Sequence, residues 1–415
     1  MDALARFADR RRRLVLAATV LFVAFAAVFG GPVVGMLDSD DDFEDPAQES
    51  VLARESVERA TGLSAAPDLV ALVRLGAPAD SPEGRAEQRR VREALRDPAV
   101  ADVTAQHATG PEPESLYMAA YFRDGVGGRS TAARLQERLE REPGVIVGGG
   151  IVAFDQVGEQ VQEDLARAEM LAFPILFLLS LVVFRGVVAA LLPLAVGAVT
   201  IITTFALLRL VNAVEPMSVF AINLITGLGL GLAIDYSLFI VSRFREEMEK
   251  GGHALRATMR TAGRTVLFSA VTVAAAMAAL IVFPLRFLYS MGVGGALVAL
   301  TAALVSLTVL PALLAALGPR VNALSLRRWQ VAMHRDAAQV RSGPWYRFSQ
   351  VVMRRPGPIA AATAVLLIVL GLPFLRIEFT GVDASVLPQE RSARVVEDAL
   401  RTEFPAAGAS PIYVA

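Results

Sequence analysis

The sequence predicts a multi-pass α-helical membrane protein that carries one polar α+β domain between its first two spans. Two observations lead there. Seven apolar runs come near the ~20 residues that a ~30 Å hydrocarbon core demands, and the arginines fall into clusters that alternate with those runs. The composition agrees: of 415 residues 54% are hydrophobic and 20% charged, with a mean hydropathy of +0.50, too apolar for an ordinary soluble domain. Cysteine is absent, which excludes a disulfide framework, a thiolate metal site and a cysteine nucleophile. His107, His253 and His334 are too few for a histidine-rich metal centre. No cofactor, metal or nucleic acid is expected.

The runs are Leu14 to Leu37, Met170 to Phe184, Val187 to Val211, Met217 to Val241, Thr265 to Phe283, Tyr289 to Leu317 and Ile359 to Leu375. A signal peptide with Arg10 to Arg13 as its basic region is the alternative for the first, but the apolar run is longer than such a segment needs. The second is short, and the amphipathic stretch of Val157, Val161 and Leu165 before it predicts one long helix that continues out of the bilayer. Orientation follows the basic residues. Residues 1–13 hold five arginines, 243–264 five arginines and Lys250, and 318–358 eight arginines against Asp336 alone. These three segments belong on the cytoplasmic side. Residues 38–165, with 26 acidic and 13 basic side chains, then lie outside, and the near-neutral net charge of -1 is a sum of opposite regional excesses.

In that external segment Asp38 to Asp45 is an acidic exit from the membrane, followed by a helical stretch from Ala47 to Ala60. β-Branched and apolar runs at Asp68 to Leu75, Ala99 to Ala105, Leu116 to Phe122 and Val145 to Gly149 predict strands. Charged helical patterns at Glu83 to Arg96 and Ser130 to Glu142 lie between them, with a loop at Pro111 and Pro113. The order βαββαβ is that of a ferredoxin-like split unit. After it come a bundle of spans 2 to 6 over residues 166–317, the cytoplasmic basic segment 318–358, span 7 at 359–375, and residues 376–415. In the inner segment, Phe244 with Met248 and Leu255 with Met259 sit four apart on either side of Gly251-Gly252, which predicts two short helices lying on the membrane face.

One acid lies deep in the apolar runs: Asp235, eight residues before Arg243 and so about 12 Å in from that end of the helix. A charge at that depth costs at least ~2.5 kcal/mol and needs a partner, water or a proton. Asn223, Gly227, Gly231 and Asp235 recur every four residues and share a face, and the glycine pair suits the close approach of another helix, so Asp235 is expected to face protein. The Gly-rich run is no dinucleotide loop, because no strand precedes it. Tyr236 supplies an adjacent hydroxyl able to relay a proton. An aspartate that changes its protonation and favours a different helix packing in each form would make a proton-coupled exporter.

The first and last spans open alike. Arg12-Arg13 precedes a run reaching Gly31-Pro32 and Asp38, while Arg354-Arg355 precedes one reaching Gly371-Leu372-Pro373 and Asp383. A helical stretch from Ser392 to Glu403 and an apolar Ile412-Tyr413-Val414 then parallel the start of the first external domain at an offset of about 342 residues. This reads as one repeat and the opening of a second, truncated external domain.

With that layout the chain resembles the MmpL family of the RND superfamily. The matching stretches are Gly227-Leu-Gly-Leu-Gly-Leu-Ala-Ile-Asp-Tyr-Ser-Leu-Phe-Ile-Val-Ser-Arg-Phe-Arg-Glu-Glu247 and Thr261-Ala-Gly-Arg-Thr-Val-Leu-Phe-Ser269. The resemblance implies an RND-type transmembrane bundle with an external porter domain in a bacterial plasma membrane, exporting lipids or other hydrophobic compounds on the proton-motive force. It implies that Asp235 and Tyr236 form one half of the proton relay, with Ser269 on the neighbouring span. The other half would come from a second transmembrane half or from oligomeric copies, since the chain ends before a second Asp-Tyr pair. The competing readings are a non-transporting lipid- or sterol-sensing regulator and, more weakly, an intramembrane enzyme, which a single carboxylate serves poorly.

Overall fold

The computed structural model describes residues 1–37, 45, 47–108, 115–123, 128–251, 253–324, 344–377 and 384–404. The acidic exit at 38–44, the loop at Pro111 and Pro113, the middle of the basic segment (325–343) and the apolar run at 412–414 lie outside these residues. In chain order the helices are α1 (Asp2–Arg10), α2 (Arg12–Gly30), α3 (Glu49–Thr61), α4 (Pro82–Ala94), α5 (Arg129–Leu139), α6 (Gly150–Phe184), α7 (Val187–Asn212), α8 (Phe220–Lys250), α9 (Ala254–Ala278), α10 (Arg286–Leu317), α11 (Pro344–Arg354), α12 (Pro356–Gly371) and α13 (Ser392–Glu403). The strands are β1 (Leu69–Arg74), β2 (Val100–His107), β3 (Ser115–Phe122) and β4 (Val145–Gly148). The chain divides into two compact units, Met1–Asp38 with Met170–Thr380 and Ser39–Glu169 with Gly381–Ala415.

Among the described residues seven helices are long and apolar enough to cross a membrane: α2, α6, α7, α8, α9, α10 and α12, some with short 3-10 extensions. α6 is a single helix from Gly150 to Phe184, so the amphipathic stretch does continue into the second apolar run. Helix α10 is the most enclosed, packing against α7, α8, α9, α1 and α2. Lipid offers no hydrophobic drive between spans, so close contact rests on small side chains that let backbones approach. A Cβ at Gly229 of α8 would stand 2.7 Å from Val298, and one at Gly30 of α2 would stand 2.6 Å from the backbone nitrogen of Ala206. Gly292 and Gly294 play the same part on α10, against Met277 and Ile225. Arginines close the ends: Arg12 Nη1 donates to the Ala315 carbonyl at 2.7 Å, and Arg245 Nη1 to that of Phe184 at 2.6 Å.

One expectation is corrected here. Residues 243–264 do not form separate helices on the membrane face. α8 runs on to Lys250 and α9 begins at Ala254, and Phe244, Leu255 and Met259 are buried in the bundle core. Apolar pairs four apart suit a bundle interior as well as an interface, and the break at Gly251 (φ 77) turns the chain back on itself.

In the other unit the sheet order is β2-β3-β1-β4, antiparallel throughout. Alternation along the central strands splits their side chains between two faces. Leu69, Ala71, Val73, Leu116, Met118 and Ala120 face the core that holds Val91 and Leu95 near α4 and Leu135 and Leu139 of α5. Val70, Leu72 and Ala119 face the other way and are covered by Val396, Ala399 and Phe404 on and just after α13. Phe404 is 0% exposed and meets the Tyr117 ring edge-on at 5.1 Å. α13 is clasped at both ends. Arg74 pairs with both oxygens of Glu403 at 2.6 Å, Arg391 reaches Glu163 at 3.2 Å, and the Gln156 side chain bonds Ser392 and the Ala393 nitrogen.

Phe404→Ala should cost about 3–5 kcal/mol locally, read by hydrogen exchange as loss of amide protection across 392–403. The hydrogen bond from Arg74 holds the Glu403 carboxyl below the usual carboxylate range. A lowered folded value means the clasp is intact at neutral pH and is lost as pH falls through that value. Protection of 392–403 should therefore decline in acid, and Arg74→Gln should flatten that decline.

Candidate functional site

Helix α8 carries Asp235 on the stripe of Asn223, Gly227 and Gly231, as the four-residue spacing requires. Within this chain the stripe is open: Gly227, Gly231 and Asp235 are exposed and Asn223 is half-buried. A Cβ added at Gly227 or Gly231 would meet no atom within 4 Å. This corrects the expectation that Asp235 faces protein here. The close contacts of α8 are made from its other side, where Gly229 meets Val298, Thr200 and Ile201, and where Ala221 and Ile225 meet Gly294. Those contacts set the rotation of α8 and turn the Asp235 stripe away from α7 and α10.

Tyr236 follows the contacts inward. It is 4% exposed and packs with Val196, Ala233 and Ile240 in the bundle core. Its Oη is buried beside the Ser269 side chain of α9, and no other described residue offers it a hydrogen bond. Ser269 is half-buried. Thus α8 presents a carboxylate on its open face and, one residue on, a phenol inside, with Ser269 beside the phenol. A buried hydroxyl is costly unless water or another group completes it.

A feature not anticipated from the sequence lies toward the Arg243 end of α8. A cavity of about 470 Å³ opens between α8 and α9, lined by Phe239, Ser242, Arg243, Glu246, Thr261 and Thr265 among others. Arg243 is neutralised there by Glu246 at 3.0 Å and Glu247 at 2.7 Å. The readable signal was Thr261, Thr265 and Ser269 at intervals of four on α9. In the other unit a smaller cavity of about 210 Å³ is apolar apart from Glu397, which pairs with Arg401. Among the described residues no group of three acids or histidines is placed to hold a metal ion.

The model of the MMPL family matches residues 62–359. The chain belongs to the MMPL family. It is thereby a multi-pass helical membrane protein of the RND superfamily. Over 431 aligned residues it is 36% identical to putative membrane protein SCO6666 of Streptomyces coelicolor, covering 100% of this chain and 59% of that one. It is 36% identical over 276 residues to the trehalose monomycolate exporter MmpL3 of Mycolicibacterium smegmatis, covering 61% and 27%. The mycolic acid-containing lipids exporter MmpL11 of the same organism is 34% identical over 293 residues, covering 66% and 30%. The MMPL chain thus spans less than two thirds of the length of these relatives.

The two kinds of glycine on α2 and α8 give opposite expectations. Gly30→Ala forces backbone apart and should destabilise the detergent-solubilised chain by about 1–3 kcal/mol, whereas Gly227→Ala and Gly231→Ala should leave its thermal unfolding unchanged.

Proposed function

We propose that this MMPL chain is the first half of a proton-motive-force-driven exporter of lipids or other hydrophobic compounds. In this reading the N-terminus is cytoplasmic in a bacterial plasma membrane, and residues 38–165 form an external porter domain. The observation that carries it is the Asp235-Tyr236 pair: a carboxylate on an open helix face within a membrane-spanning helix, next to a phenol buried in the bundle core beside Ser269. A carboxylate about 12 Å along the helix from Arg243 cannot stay charged against hydrocarbon without cost, so its two protonation states favour different surroundings. That is the requirement for coupling proton entry to helix movement. Each proton crossing the membrane brings ~2.3 kcal/mol per 100 mV.

The open stripe of Gly227, Gly231 and Asp235 is suited to a helix from a second transmembrane half, or from another copy, bringing its own polar group to the pair. The regional charges support the orientation, with arginine-rich segments at 1–13, 243–264 and 318–358 and an acidic 38–165. The antiparallel β2-β3-β1-β4 sheet supports a ferredoxin-like porter domain. The names of the two mycobacterial relatives support a lipid as cargo.

Asp235→Asn keeps the shape of the side chain but cannot carry a proton. In the full-length protein it should abolish proton uptake coupled to lipid efflux in vesicles while leaving expression and thermal stability unchanged. An Asn variant that exports at the normal rate would overturn the proposal, and a protein with no coupled proton uptake at all would favour a lipid-sensing role.

A further inference from the structure

We infer that the cavity between α8 and α9 is a water-filled outlet through which protons pass from the Asp235-Tyr236 pair to the aqueous phase at the Arg243 end, with Thr261, Thr265 and Ser269 as its polar wall. This rests on the reading of Asp235 as a proton carrier and adds the route. Thr261 and Thr265 line the cavity, and Ser269 stands beside the Tyr236 hydroxyl. At four-residue intervals the three share one face of α9 and climb about 12 Å over two turns. On α8 the eight residues from Arg243 to Asp235 cover the same rise in the opposite chain direction. The hydroxyl ladder therefore begins where the cavity holds Arg243 and Glu246 and ends at the relay.

The chemistry of the wall suits water. Thr261 Oγ1 donates to the Ala257 carbonyl at 3.0 Å and Thr265 Oγ1 to the Thr261 carbonyl at 3.4 Å. Their protons are used within the helix, and the oxygen lone pairs remain to accept from water. A volume of about 470 Å³ is ample for a chain of waters. Polar side chains at membrane depth are tolerated where they line a wet cavity. The titratable groups facing the space are Arg243 and Glu246 from α8, with Glu247 pairing to the same guanidinium. Because both carboxylates hold Arg243, the outlet does not present a lone cation, which would repel a proton or recruit a phosphate. Phe239, one turn from Asp235 along α8, forms part of the wall and is the apolar step between cavity and carboxylate.

These 415 residues contain no cysteine, and any cysteine elsewhere in the full-length protein is first replaced by serine. In the full-length protein, single Thr265→Cys and Phe268→Cys variants are exposed in membrane vesicles to a charged methanethiosulfonate added at the arginine-rich side. A thiol reacts through its thiolate, which needs water. Thr265→Cys should be modified at least about tenfold faster than Phe268→Cys, which is likewise exposed on α9 but lies outside the cavity lining. Separately, Thr261→Val with Thr265→Val, equal in shape but apolar, should slow proton uptake about tenfold or more. Thr261→Ser with Thr265→Ser should restore it. If Thr265→Cys is no faster than Phe268→Cys, or the valine pair takes up protons at the normal rate, the outlet is overturned. Asp235→Asn is the separate control: loss of uptake there together with a normal valine pair rejects the route alone, while uptake that survives Asp235→Asn rejects the reading beneath it.

Discussion

The rotation of α8 about its own axis is the constraint on which the membrane unit depends. It is set by how closely α8 can approach α7 and α10, and that depends on missing side chains: Gly229 against Val298 and Gly294 against Ala221 and Ile225. With that side engaged, residues on the far side of the helix have no choice. Asp235 turns outward and Tyr236, a further 100° round, turns in beside Val196 and Ala233. The separation of a carboxylate from a protected hydroxyl thus follows from steric packing at a different level of the same helix. The small residues of α10 serve both roles, bringing α8 close and admitting α9 at Gly292 and Gly295.

The second unit obeys a different rule. β1 is buried on both faces, so the sheet needs cover on both. The segments between its own strands provide one cover, α4 and α5. The other comes from α13, far along the chain, which buries Val396, Ala399 and, just after it, Phe404 on the sheet and is also tied by polar groups at its ends. Arg74 is central to this. It leaves the end of a buried strand, bonds Ser115 on the neighbouring strand and takes both oxygens of Glu403. One guanidinium therefore ties together sheet register and helix docking, which a lysine could not do with a single ammonium.

Much of this was legible because it is local. Apolar runs of bilayer length and alternating strands state their own structure, and β1 to β4 lie close to the segments singled out for alternation. A four-residue spacing also puts Asn223, Gly227, Gly231 and Asp235 on one face without reference to anything else. What the spacing does not state is what fills the space beside that face. Two glycine patterns run along α8, Gly227 with Gly231 and Gly229 between them, and pattern alone does not say which is used within the chain. The same ambiguity misdirected the reading of 243–264, where pairs such as Leu255 and Met259 fit a membrane surface or a bundle core equally well. The cavity beside Thr261 and Thr265 belongs to two helices at once, and the destination of α13 is a contact at long separation, so neither is written in any single stretch.

That long separation has a consequence for how the molecule is made. Arg74 and Glu403 are 329 residues apart. At a synthesis rate of ~5–20 residues per second, about 15 to 65 seconds pass between the appearance of β1 and that of the helix that covers its second face. During that interval the ribosome has released every strand of the sheet, yet Val70, Leu72 and Ala119 still look onto solvent. The nascent chain has to carry an uncovered apolar sheet face while six further spans are threaded into the bilayer. Biogenesis of this domain is therefore tied to completion of the seventh span, and a chain stalled before it would expose a surface that chaperones and proteases recognise.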